Sequence, residues 1–358
     1  TARLICPDCE YPHTDEQRLV TAKAGQYLNK KKEPPQDGVN RGFHLGCMAQ
    51  VAPHNSAYSG YLHEVAAERE SILKSDNPEK SRRVFVNTMD AESFAESVED
   101  KPEADTLYTR REEWNPTESL PAGVLMLTMG VDVQKDRLEA IIVGWGLNNE
   151  CWLIAYRVIT GSPLKEETWN KLDKLRTTKW DHPVAANPML PVCTFVDSGK
   201  WSNTIYEYTR QRIRAGVFSC KGAKMLDRPL MDGKATKTGR PVTMLYNVGT
   251  HEAKDLIYQR LELSPPKKKG SPYPQGYIHV PAIEDFGEAA GGDATGFFEM
   301  LLAEDSMLKR STRTGEFLRF FDCPKGKRNE ALDTFVYAMA AERVMRPEYE
   351  TIAEGLAG

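Results

Sequence analysis

The 358 residues contain no G-x-x-x-x-G-K-[ST] phosphate loop; Gly199-Lys200 is followed by Trp201 and Gly233-Lys234 by Ala235, neither by the hydroxyl residue that holds magnesium beside a nucleotide. ATP hydrolysis is therefore not expected of this chain. No apolar run approaches the roughly 18 residues of a membrane helix, and the N-terminus lacks a basic-then-apolar signal, so a soluble intracellular protein is expected. The seven cysteines are scattered and odd in number, which argues against a disulfide framework and for a reducing compartment. Excess positive charge is also missing: the net charge is −4, so any nucleic-acid contact must come from local basic stretches.

What is present divides into two halves. Up to about residue 115 the chain is rich in turn formers, with one amphipathic helix expected over Gly60–Leu73 and an acidic linker, "ESVEDKPEADTL", near the end. The expected domains are 1–115, mostly irregular and helical; 116–346, a folded α/β domain; and 347–358, a tail. In the second, three β-rich runs (Val124–Val133, Leu138–Trp145, Cys151–Ile159) joined by short polar turns predict an antiparallel meander. Alternating helices and strands follow: a helix from Pro163, the strand "VCTFVD", a helix capped by Ser202, then "VFSC", "VTMLYNVG", the helix "EAKDLIYQRLEL", "YIHV", "EFLRFFD" and the closing helix "NEALDTFVYAMAAERV". That order predicts an α/β fold of the ribonuclease H type, a mixed sheet flanked by helices.

Within "MLTMGVDVQKDRLE" the carboxylate of Asp132 interrupts an apolar strand, where burial without a partner would cost several kcal/mol, roughly the stability of a small domain. Alternation puts Asp132 with Thr128 and Gly130, and leaves Leu127, Met129, Val131 and Val133 on the other face. Asp197 ends a strand before a Gly-containing turn, where α/β folds display chemistry. Asp333 lies at the border of the stripe Leu332, Phe335, Val336, Met339 on the last helix. Singly, each reads as a turn former or a solvated acid. Together they suit two Mg²⁺ or Mn²⁺ ions, hard cations that take oxygen ligands and neutralise clustered carboxylates. Such ions, about 4 Å apart, drive phosphodiester hydrolysis. Glu139 is a further candidate ligand: if Val133 pairs with Leu138 it lies opposite Asp132, and a one-residue slip removes it.

"FVNTMDAESF" (85–94), "GVDVQKDRLE" with "GWG" (130–146), "FVDSGKWSNTIYEYTRQ" (195–211), "GTHEAKDLIYQRLEL" (249–263) and "RNEALDTFVYAMAA" (328–341), in this order, resemble the large terminase subunits of lambda-like tailed bacteriophages. The resemblance implies the nuclease end of a packaging protein, acting on concatemeric double-stranded DNA in the cytoplasm of the infected host. It carries Asp132, Asp197 and Asp333 over as metal ligands, the same three residues. It also implies partners: an ATPase motor domain upstream, which the missing phosphate loop marks as outside this chain, a small terminase subunit, and the portal of the procapsid. No membrane is involved.

Near the N-terminus, Cys6 and Cys9 form C-x-x-C, and His44 and Cys47 form H-x-x-C, spacings that suit a structural Zn²⁺. The alternative is a turn carrying two free thiols; in the family "CPDC" resembles the second half of a paired knuckle. Among basic residues, Lys325, Lys327 and Arg328 precede the helix of Asp333, whose start adds a positive end for a phosphate. Lys200 and Lys254 are further candidates for DNA contact. A metal-dependent endonuclease is thus expected, with a non-catalytic DNA-binding or assembly module as its rival.

Overall fold

In the computed structural model the described residues are 4–5, 11–14, 16–17, 20, 61–73, 81, 84–85 and 101–357, less 224, 226–227, 232, 240, 269 and 311–316. The chain divides into two compact units, Thr1–Glu99 and Asp100–Gly358. In the first, Leu4–Ile5 pairs antiparallel with Pro12–His13, and a helix spans Tyr61–Leu73. Cys6, Cys9, His44 and Cys47 lie outside the described residues, as does the expected family stretch 86–94.

The second unit begins earlier than residue 116. The stretch read as an acidic linker holds helix α1, Ala104–Thr109, whose Leu107 is buried in the core. Just after it, the Glu112 N–H donates to the Val280 carbonyl at 2.8 Å, which anchors this entry segment to the domain.

One eight-stranded sheet organises the unit. Its strands are β1 (Met126–Val133), β2 (Arg137–Trp145), β3 (Cys151–Thr160), β4 (Pro191–Asp197), β5 (Val217–Gly222), β6 (Thr236–Thr238), β7 (Thr243–Val248) and β8 (Ile278–His279). Their spatial order is β8-β3-β2-β1-β4-β5-β7-β6. The meander β1-β2-β3 is antiparallel, while β4, β5 and β7 add parallel on the other side of β1. This is the ribonuclease H type of mixed sheet expected from the element order. Parallel neighbours need crossovers: helix α2 (Glu166–Arg176) lies in the connection to β4 and α3 (Ser202–Gln211) joins β4 to β5, while β6 lies in the connection from β5 to β7, and α4 (Thr250–Glu262) follows β7. Part of the basic insert "KATKTGRP" forms β6, the edge strand antiparallel to β7.

The sheet is buried on both faces. Leu127, Met129, Val131 and Val133 meet Trp169 and Leu172 of α2 and Ile205 and Tyr208 of α3. On the opposite face lie α4, the short helix α5 (Phe297–Leu301) and α6 (Glu330–Met345). Helix α6 is buried around nearly its whole circumference rather than along one stripe, since it is the central helix of that layer. The strand "EFLRFFD" does not join the main sheet. It forms β10 (Phe317–Asp322), paired antiparallel with β9 (Asp305–Arg310) in a separate hairpin. The expected tail contains helix α7, Tyr349–Ala357.

Gly130 sets how closely α6 approaches β1. A Cβ there would lie 1.9 Å from the Thr334 carbonyl oxygen and 2.6 Å from the Ala338 nitrogen, so the helix backbone rests on the strand backbone. Beside it the Thr128 hydroxyl donates to the Ala338 carbonyl at 2.7 Å and accepts from Trp145 Nε1 at 2.8 Å. The face shared by Thr128, Gly130 and Asp132 is thus covered by a helix, not turned to solvent.

Candidate metal centre

Parallel pairing brings two of the acids side by side. Val131 is opposite Val196 in the β1–β4 register, so Asp132 and Asp197 are each one residue further along, at the carboxyl ends of adjacent strands. The third arrives on α6, whose first turn carries Asp333 over the same end of the sheet. Asp132 is 5% exposed and accepts from Gln134 Nε2 at 2.5 Å. Burial, with the charges of Asp333 and Asp197 added, drives its carboxyl well above the usual range. Asp197 accepts from the Gly199 N–H at 3.1 Å. Burial pushes its pKa up to about 6, Asp333 adds to the rise, and the Gly199 N–H and the Tyr337 hydroxyl oppose it. Each acid therefore feels the others, and their mutual repulsion is only partly offset.

Asp333 is held on both oxygens. Lys254 Nζ lies 2.8 Å from Oδ1, and Asn329 Nδ2 donates to Oδ2 at 3.0 Å. Lys254 and Asn329 both also reach Glu304 Oε1, at 2.5 and 2.7 Å. Burial alone would lower the pKa of Lys254, but Asp333 and Glu304 outweigh it and the net shift is upward. Glu304 is 2% exposed and its Oε2 has no hydrogen-bond partner.

Glu139 shows the predicted register and a different role. Val133 does pair with Leu138 and Asp132 with Glu139. Yet Glu139 Oε1 takes Arg137 Nε and Arg328 Nη2, both at 2.5 Å, and Oε2 takes the Tyr156 hydroxyl. Both oxygens are spent on fixed donors, so Glu139 belongs to an ion-pair network and not to the acid cluster. Arg328 is committed to the same network through Glu139, Glu330 and Asp293, and Lys254 is buried between two carboxylates; neither is presented to a DNA strand. Lys200, Lys325 and Lys327 are exposed, on the turns after Asp197 and before α6. Sequence reading missed Lys221, exposed on β5 and near enough to lower Asp197. It also missed Glu304, Asn329 and Tyr337, whose only signal was adjacency to the apolar run "FFEMLLA" or helical spacing from Asp333. Ser202 does not cap α3: its hydroxyl donates to the Ser198 carbonyl, and Trp201, at φ 55°, takes the cap position.

Among the described residues no group of three or more His, Cys, Asp or Glu is drawn together as a ready-made ion cage. The donor set nonetheless suits a hard divalent cation: three neighbouring carboxylates, two of them raised by burial, with one buried lysine on Asp333 and an orphaned carboxylate oxygen behind it.

Comparison with known proteins decides the family. The model of the terminase large subunit gpA endonuclease domain matches residues 40–352. The chain belongs to this family. The large terminase subunit of Escherichia phage lambda is 30% identical over 274 residues, covering 76% of this chain and 40% of that protein. The large terminase subunit of Enterobacteria phage P21 is 30% identical over 263 residues, covering 73% and 39%. The chain thus spans about two fifths of the length of these curated relatives. Among solved structures, the large terminase nuclease of thermophilic phage G20c with bound magnesium matches at a TM-score of 0.34 and 9% identity, over 64% of this chain and 93% of that one, a likeness too low to transfer detail. In this terminase endonuclease domain, no helix among the described residues is long and apolar enough to cross a membrane.

Proposed function

We propose that this domain is a divalent-metal-dependent nuclease that cuts concatemeric double-stranded DNA during phage genome packaging, with Asp132, Asp197 and Asp333 holding two Mg²⁺ or Mn²⁺ ions. The observation that carries the reading is the convergence of three mutually coupled carboxylates from β1, β4 and α6 at one end of the sheet. Buried like charges at this density are unfavourable unless a cation joins them, and a structural role would be served as well by neutral residues. When bound, the ions would supply an activated water and a stabilised leaving oxygen.

The protein's own contribution is placement. Sheet and helix backbone fix the three acids, so little ordering is left to be done on binding. Gly199 and Tyr337 orient the Asp197 carboxyl, and Gln134 orients Asp132. Exposed Lys200 and Lys221, on the turn after Asp197 and on β5, and Lys325 and Lys327, just before α6, would contact backbone phosphates, which gives affinity and register without reading bases. Water adds across the scissile phosphorus–oxygen bond, so one end leaves as a hydroxyl and the other as a phosphate.

The resemblance to lambda-like large terminase subunits extends the proposal to a larger assembly: an ATPase motor, a small subunit, and a portal on the procapsid, in the host cytoplasm. The test is plasmid cleavage by the full 358-residue chain in Mg²⁺, Mn²⁺ and EDTA, beside Asp132→Ala and Asp333→Asn. Metal-dependent cutting lost in both variants supports the reading; no cutting by a folded sample favours a non-catalytic DNA-binding or assembly module, and full cutting in either variant overturns the assignment of the acids.

A further inference from the structure

Lys254 is a buried cation where a metal-binding site would be expected to have none. It is 7% exposed on α4, and its ammonium joins Asp333 Oδ1 to Glu304 Oε1. It therefore occupies one oxygen of a residue assigned above to the metal. Its other partner is firmly seated: the Glu304 carbonyl takes the Tyr258 hydroxyl and the Lys101 ammonium, both at 3.0 Å. Asn329 holds the second link between the same two carboxylates.

The uneven use of Glu304 is the informative detail. One of its oxygens accepts from both Lys254 and Asn329, while Oε2 is buried with no partner. Leaving a buried carboxylate oxygen unpaired is costly, so a lysine with only a folding role would be expected to use both oxygens. Oε2 is a vacant acceptor on the same carboxylate that Lys254 already touches. A small movement of the flexible lysine stem would trade Asp333 for this second oxygen.

Resting on the metal reading above, we propose that Lys254 is the exchangeable counter-ion of Asp333: it neutralises the carboxylate before metal enters and then withdraws onto Glu304 Oε2. Glu304 is a positioning residue, the seat to which the lysine retires. No covalent step is involved, only exchange of one cation for another at Asp333.

Two variants move metal affinity in opposite directions. Glu304→Gln removes the charged seat and leaves Lys254 on Asp333, so Mn²⁺ binding weakens by about tenfold or more. Lys254→Met combined with Glu304→Gln removes the competing cation without stranding a buried charge, so Mn²⁺ binding tightens by about tenfold. Calorimetric titration of the full chain with Mn²⁺ reads both, with thermal melting to verify folding. Opposite shifts support the exchange. Any other pattern in folded samples, including joint weakening or no change, overturns it, since a purely structural pair would move both variants the same way. If the unaltered chain shows no Mn²⁺ binding that Asp132→Asn removes, the metal reading itself falls, an outcome distinct from failure of the exchange.

Discussion

Two carboxylate clusters stand side by side at one end of the sheet, one on each strand of the β1–β2 pair. Around Glu139, four acids (Glu139, Glu330, Asp293, Asp136) meet two arginines (Arg137, Arg328) and a tyrosine, and both Glu139 oxygens are spoken for. Around Asp132, Asp333 and Glu304 are paired with Lys254, Asp197 feels the exposed Lys221, and Asp132 itself accepts from the neutral Gln134 amide. Residues directly opposite each other in register, Asp132 and Glu139, thus fall in opposite electrostatic settings. The contrast separates an acid bonded to two arginines from one bonded to a neutral amide. Direct pairing with arginine, not burial, distinguishes them, because both are buried.

Substitution on the two sides should give opposite profiles. Asp132→Asn should reduce metal-dependent DNA cleavage by about a thousandfold or more, while thermal melting in EDTA stays level or rises, since a buried charge with like-charged neighbours is removed. A variant that cuts normally would remove Asp132 from the site. On the other side, Arg328→Ala leaves Glu139 with Arg137 and Tyr156 alone and should cost about 1.5–3 kcal/mol in a urea titration. Loss below about 1 kcal/mol there would mean the network is ornamental. Gly130→Ala, between the two clusters, should destabilise by about 3 kcal/mol, as its methyl would drive α6 off β1.

A pH titration distinguishes the clusters more gently. The folded pKa of Asp197 is raised, to about 6, above its unfolded value near 3.9. The native state therefore holds the proton more tightly between those values, so stability in EDTA falls as pH rises from about 4 to 6, by at most about 3 kcal/mol. Asp197→Asn should flatten that slope; an unchanged slope would assign it to other groups. Smallest of all, Lys325→Ala and Lys327→Ala should weaken DNA binding a few-fold each and reduce its salt dependence, measured by fluorescence anisotropy across a salt series.

The acids were readable from sequence because strand alternation and helical spacing are local rules. Asp132 stands out in an apolar run, and the turn "QKD" is short enough to fix the register that pairs it with Glu139. What Glu139 does was not readable, because its partners lie far along the chain at Tyr156 and Arg328. Lys254 and Arg328 read as candidates for DNA contact for the same reason: burial of a long charged side chain depends on which distant carboxylate meets it. The β9–β10 hairpin was half seen, since "EFLRFFD" has strand composition but its partner "DSMLKR" reads as polar surface. Helix α5 was missed because it is only five residues long and follows directly on the glycine-rich stretch "GGDATG".

At Gly130 the strand and the helix meet main chain to main chain. The gauge between the acid on β1 and the acid on α6 is consequently cut from peptide atoms, which every residue shares. Side-chain drift elsewhere in the core can alter stability, but only a change at this one position inserts a shim between the two halves of the site.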